Sequence, residues 1–211
     1  MVTGEATTKI SRAERKARRP QEILEAAFEE FTEHGYAATR VEDVAARLGV
    51  TKGTVYLYFP TKDALFEAMF HHMSTPFTDL RASVDTLTGS CSERLRALLL
   101  LGYEKIEGDR KMRELLRLAL AEAPGFPDIV DRHYDQFIGP LLAAVGSLLE
   151  QGVASGEFRQ GPAARVPEVI IGAAVQMDVH RLLYADRRPL NEAAFIEAHV
   201  DLVLNGLLRR S

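Results

Sequence analysis

Thr39-Arg-Val-Glu-Asp-Val-Ala-Ala-Arg-Leu-Gly-Val-Thr-Lys-Gly-Thr-Val-Tyr-Leu-Tyr-Phe59 reads as two short helices folded back across a turn at Gly49-Val50. Val41, Val44, Ala45 and Leu48 recur at spacings of three and four, which is one apolar face of the first helix. Thr39 and Glu42 have the spacing of a capping box, and Gly49 suits the C-terminal stop. Thr51 is placed to cap the second helix, which ends at Phe59 because Pro60 follows. Upstream, Pro20 fits the first position of a helix carrying Ile23, Leu24, Ala27, Phe28 and Phe31 on one side, with Gly35 as its stop. Downstream, Thr61 caps a helix that buries Leu65, Phe66, Met69, Phe70 and Met73.

The second helix carries chemistry suited to a polyanion. Thr51, Lys52 and Thr54 occupy its first turn, Tyr56 and Tyr58 follow, and no carboxylate lies between Thr51 and Phe59. Hydroxyls and ammonium groups donate to phosphates and to base edges. Gly53 presents no side chain where a backbone must approach closely, and Lys62 is placed for a further phosphate. Two helices and a tight turn of this length fit a helix-turn-helix, whose second helix enters the major groove. The same pattern also accommodates an all-α small-molecule-binding or protein-interaction module whose polar face is simply solvated. Only DNA binding makes duplex affinity depend on Lys52 and Tyr56.

Charge is distributed unevenly. The 211 residues carry a formal net charge of −4, yet Lys9 to Arg19 holds six basic residues (Lys9, Arg12, Arg15, Lys16, Arg18, Arg19) against the single acid Glu14. A basic arm on an acidic body points to a polyanion met at one end, and such an arm is long enough to reach a minor groove. The lone Cys91, flanked by Ser90 and Ser92 in an expected loop, excludes an internal disulfide and suits a reducing cytoplasm. The N-terminus lacks the apolar core of a signal peptide, and the apolar stretch Phe137–Leu149 is too short to span a bilayer, so no membrane partner is expected.

Beyond Pro76 the periodicity stays helical, with helices expected over Leu95–Ile106, Met112–Ala121, Asp128–Ala154 (bent at Pro140), Ala164–Tyr184 and Asn191–Leu208. The last two are apolar on more than one side, which a helix must bury either in its own domain or against another subunit. A homodimer contact through Ile171, Val175, Phe195, His199, Leu202 and Val203 follows from the second option. Tyr103, Met112, Phe126, Tyr134, Phe137, Gln176, Met177 and His180 combine aromatic and thioether surface with a few polar groups, the mixture of a small-molecule pocket. Each apolar member also serves as ordinary core. His71 and His72 are neighbours about 100 degrees apart on a helix and share no face, so neither metal nor cofactor is expected. No phosphate-binding glycine loop or nucleophile elbow occurs, and no enzyme is expected.

Gly35-Tyr-Ala-Ala-Thr39, Val44-Ala45, Gly49 to Phe59 and Lys62-Asp-Ala-Leu65 together resemble the DNA-binding domain of the TetR/AcrR family of bacterial transcriptional regulators, over roughly Pro20 to Phe70. The resemblance implies an all-α protein with three parts. These are a basic flexible arm (1–19), a three-helix helix-turn-helix domain (20–66) and a helical ligand-binding and dimerisation domain (67–211). It implies a cytoplasmic homodimeric repressor that leaves a palindromic double-stranded DNA operator when a small-molecule effector binds. By position, Thr51, Lys52, Thr54 and Tyr58 face bases or nearby backbone, with Gly53 between them. Thr39, Tyr56 and Lys62 hold phosphates. Arg40 departs from the small hydroxyl residue common in the family and adds a phosphate contact, leaving the cap to Thr39.

Overall fold

The computed structural model describes residues 12–107 and 110–209. Among the described residues every regular element is helical, with one isolated antiparallel bridge between Phe158 and Leu208. The chain divides into two compact units, Met1–His72 and Met73–Ser211.

The first unit contains α1 (Arg12–Ala38), α2 (Val41–Arg47), α3 (Lys52–Tyr58) and α4 (Lys62–Met73). Its core is Ile23, Ala27, Phe31, Val44, Ala45, Val55, Leu65, Phe66 and Met69, each at most 2% exposed. Phe31 and Phe66 meet edge to face at 5.0 Å, a preferred aromatic geometry. Gly35 breaks the helical path of α1 with φ 78°, and Gly49 turns the chain between α2 and α3 with φ 65°; both conformations belong to glycine. α1 starts eight residues earlier than Pro20. The Arg, Ala, Glu and Lys of 12–19 are strong helix formers, and the hydrogen bond lost at Pro20 does not stop them. The flexible basic arm expected over 1–19 is therefore helical from Arg12, and its residues 1–11 lie outside the described residues.

The second unit holds α5 (Thr75–Val84), α6 (Cys91–Gly102), α7 (Arg110–Glu122), α8 (Pro127–His133), α9 (Gly139–Ala154), α10 (Pro167–Tyr184) and α11 (Glu192–Leu207). α9 packs on α5, α6 and α10, burying Leu141, Leu142, Val145, Leu148 and Leu149. The coarse periodicity past Pro76 concealed α5, which has that proline in its first turn. Ser90, expected in a loop, caps α6: its hydroxyl accepts from the Glu93 N–H at 3.2 Å, and the Glu93 carboxylate accepts from the Ser90 N–H at 2.9 Å. Two π-helical turns interrupt the pattern, Tyr103–Glu107 after α6 and Tyr134–Ile138 between α8 and α9. α5 packs against both turns.

The run Pro127–Ala154 is long and apolar enough to cross a membrane by length and composition, but its apolar residues on α9 form the core of this unit. Glu157, between α9 and α10, accepts from the N–H groups of Cys91 at 2.8 Å and Ser92 at 2.9 Å. Its neighbour Phe158 fills the space beside Gly152, where a Cβ would lie 2.1 Å from the ring.

Candidate nucleic-acid interface

α2 and α3 pack on one another, and α2 packs on α1, so the core residues Val44, Ala45 and Val55 hold α3 by a single buried side. Its other faces are open. Thr51, Lys52, Gly53 and Tyr56 are exposed, and Thr54 and Tyr58 are half-buried. The Thr51 hydroxyl accepts from the Thr54 N–H at 3.3 Å and lies 3.0 Å from the Thr54 hydroxyl, so capping sets both side chains in the first turn. Leu57, 78% exposed at the centre of this surface, was absent from the expected contact set. An apolar side chain on a groove-facing helix suits a thymine methyl, and its exposure beside buried Val55 is legible from helical period alone.

Several cations on this unit already have partners. Lys52 Nζ lies 2.5 Å from Glu42 Oε1 on α2 and 5.3 Å from the Tyr56 ring centroid. The hydrogen bond to Glu42 raises the Lys52 pKa, and the same bond lowers that of Glu42, so both are charged at neutral pH. Lys62 stacks on Tyr36 with Nζ 4.3 Å from the ring centroid and lies 3.4 Å from the Ala37 carbonyl oxygen. Tyr36 in turn donates its hydroxyl to Asp63. Arg47 pairs with Glu30 and Glu33, each at 2.6 Å, bracing α2 against α1.

Two expectations at the start of the motif change. Thr39 is 3% exposed, and its hydroxyl donates to the carbonyls of Gly35 at 2.8 Å and Glu30 at 3.0 Å. It satisfies the end of α1 and has no face left for phosphate. The N-cap of α2 is the exposed Arg40, whose N–H donates to Asp43 Oδ2 at 3.1 Å, so the anticipated Thr39–Glu42 box does not form. That releases Glu42 to meet Lys52.

The residues expected to line a pocket separate in the second unit. Tyr103, Met112, Phe137 and Met177 are buried, and Phe126 is half-buried. Tyr103 sits on the first π-helical turn, Met112 on α7 and Met177 on α10, three elements that pack on one another. Phe137 lies on the second π-helical turn. Tyr134, 51% exposed, and Gln176, also exposed, face outward because helical period turns them away from that interior. His180 Nε2 donates to the Arg188 carbonyl at 2.7 Å and stacks on Tyr184, closing the end of α10 instead of lining an interior. A cleft of about 790 Å³ between α6 and α11, lined in part by Arg96, Leu100, Val200 and Leu204, contains none of the eight.

The expected subunit contact also divides. Val175 and Leu202 are 47% and 73% exposed, and Ile171 and Phe195 are half-buried. Val203 and His199 instead belong to the interior of this unit. His199 Nε2 donates to the Ile170 carbonyl at 3.0 Å, which leaves Nδ1 to accept from the Tyr103 hydroxyl at 2.7 Å. A buried imidazole needs partners for both nitrogens, and here they come from within the chain. Burial also lowers its pKa. Among the described residues, no group of three or more His, Cys, Asp or Glu is placed to hold a metal ion.

Comparison with known proteins agrees with this geometry. Residues 23–69 match the family described as bacterial regulatory proteins, tetR family, and residues 85–203 match the tetracyclin repressor-like C-terminal domain. The fatty acid metabolism regulator protein of Bacillus subtilis is 22% identical over 194 residues, covering 91% of this chain and 98% of the relative. The HTH-type transcriptional repressor KstR2 of Mycobacterium tuberculosis is 30% identical over 142 residues, covering 65% and 68%. Among solved structures, the regulator FadR from Bacillus subtilis in complex with stearoyl-CoA superposes with TM-score 0.70 at 21% identity, covering 88% of this chain and 98% of that one.

Proposed function

The chain belongs to the TetR family of bacterial regulatory proteins, and from that premise we propose how this ligand-responsive, DNA-binding transcriptional repressor divides its work. Its two units supply the family's N-terminal and C-terminal parts, and it carries no enzyme activity. α3 is the reading helix. The observation that carries this assignment is its open surface of Thr51, Lys52, Gly53, Thr54, Tyr56, Leu57 and Tyr58, without an acid, on a core that uses only Val55. Arg40 and Lys62 flank it as phosphate contacts. The protein acts in the cytoplasm as a homodimer on a palindromic operator, with the outward faces of α10 and α11 joining the two copies.

The effector binds in the second unit, where α5 meets both π-helical turns, among Tyr103, Met112, Phe137 and Met177. These side chains favour a ligand with a long apolar segment. A relative that regulates fatty acid metabolism and the FadR complex with stearoyl-CoA support a fatty acyl thioester as the class. Such a ligand shifts the population toward a spacing of the two α3 helices that no longer matches half-sites about one turn of DNA apart. Coupling of about 1–3 kcal/mol suffices for a regulatory response.

The test begins with duplexes selected from a random-sequence pool by the intact protein. Lys52→Ala and Tyr58→Phe are each expected to weaken binding of the selected duplex, Lys52→Ala by about tenfold, with unchanged thermal unfolding. Stearoyl-CoA, and not coenzyme A alone, is expected to release that duplex. Full affinity in both variants removes the α3 assignment. Release by neither compound removes the acyl assignment.

A further inference from the structure

Glu42 is an acidic side chain that reaches the proposed reading surface of α3. It lies in the first turn of α2, and its carboxylate holds the Lys52 ammonium at 2.5 Å. Both side chains are open to solvent, 53% and 46% exposed, so neither is needed by the core of this unit. The ammonium is further confined beside the exposed Tyr56 ring at 5.3 Å. The cation of α3 therefore meets DNA with an anion already attached, on a helix that itself carries no acid.

We propose that Glu42 is an affinity-limiting residue of this repressor, occupying Lys52 so that α3 makes its lysine–phosphate contact only at the cost of opening the pair. The inference rests on α3 being the reading helix. Binding to arbitrary duplex is almost wholly phosphate neutralisation, and its strength follows the number of free cations on the face. Pairing with Glu42 withdraws one of them. Lys52 reaches a phosphate only when the pair opens, which uncovers the Glu42 carboxylate next to the DNA. On a matched site, close docking of Thr51, Thr54, Leu57 and Tyr58 into the groove offsets that opening. On an unmatched duplex those contacts are not made, and the pair stays closed. Glu42 thus weakens matched binding by the cost of opening the pair and unmatched binding by the smaller phosphate contact forgone, acting through Lys52 as a positioning residue.

The measurement uses the full chain and two probes, sonicated mixed-sequence duplex DNA and a duplex selected from a random pool by the native protein. Binding is followed by fluorescence anisotropy across a potassium chloride series. Glu42→Gln is expected to tighten selected-duplex binding by about 3- to 10-fold and mixed-sequence binding by a smaller factor. Its plot of log affinity against log salt for mixed-sequence DNA steepens by up to about one, the signature of one more neutralised phosphate. In a Lys52→Ala background the same substitution is expected to do nothing. Glu42→Ala repeats the experiment without the amide, and circular dichroism melts establish that each variant is folded.

The proposal is overturned if Glu42→Gln leaves selected-duplex affinity unchanged or lowers it. It is also overturned if mixed-sequence DNA gains more than the selected duplex, or if the gain persists without Lys52, since the carboxylate then repels phosphate directly. Full affinity of both Lys52→Ala and Tyr58→Phe for the selected duplex overturns the assignment of α3 itself, an outcome separate from these.

Discussion

Gly53 shows how much one residue can say about a surface. A Cβ built there meets only the Thr51 hydroxyl oxygen, at an ordinary 3.8 Å, and its backbone is helical. Nothing inside the protein requires glycine, although glycine in a helix is less stable than alanine by about 0.5–1 kcal/mol. On the proposed docking of α3, the reason for its presence lies outside the chain, where a DNA backbone approaches it closely. Gly53→Ala is therefore expected to raise unfolding stability by about 0.5–1 kcal/mol while weakening duplex binding about tenfold. Urea titration and anisotropy measure the two effects separately, and unchanged DNA affinity would show that nothing docks closely at this point. Thr39 makes the converse case: its hydroxyl type suited a phosphate, but two carbonyls at the end of α1 claim it.

At the scale of elements, the two π-helical turns are the features that periodicity concealed. Asp128–Ala154 was expected as one helix bent at Pro140, whereas the register changes over Tyr134–Ile138 and Pro140 lies in the first turn of α9. At the head of that π turn, His133 packs against Phe77 and Phe137, with Nδ1 3.0 Å from the fully buried Ser74 hydroxyl. Burial lowers its pKa from 6.5 to about 4. Between those values the unfolded chain binds a proton that the folded chain does not, so stability is full above pH 6.5 and is lost as pH falls toward 4. Between about pH 7 and pH 5 this amounts to about 2 kcal/mol. Urea midpoints should decline over that interval, and His133→Asn should flatten the decline. His199, lowered by burial in the same direction, keeps it from vanishing. An identical pH slope in His133→Asn would remove His133 as the source.

For the whole molecule, the proposed homodimer rests on the outward faces of α10 and α11. Val169, Val175 and Leu183 on α10 and Leu202 on α11 are 63%, 47%, 55% and 73% exposed, an apolar surface that a second copy would cover isologously. Val175→Glu combined with Leu202→Glu is expected to convert the proposed dimer to a monomer by sedimentation. The same pair should abolish tight binding to a two-half-site duplex while leaving weak single-half-site binding. A double variant that sediments as a dimer would move the interface elsewhere.

The helical class and the α2–turn–α3 motif were legible in the sequence alone, because caps, glycine turns and a 3.6-residue period are local signals carried by neighbouring residues. The sequence also singled out α10 and α11 as helices apolar on more than one side. Only the tertiary structure decided which of those sides is already buried: His199 and Val203 turn inward, and Val175 and Leu202 turn out. It alone decided that Glu42 pairs with Lys52, ten residues away, and that Tyr103 reaches His199, 96 residues away. Burial and ion pairing depend on which helices meet in space, and no local period carries that information.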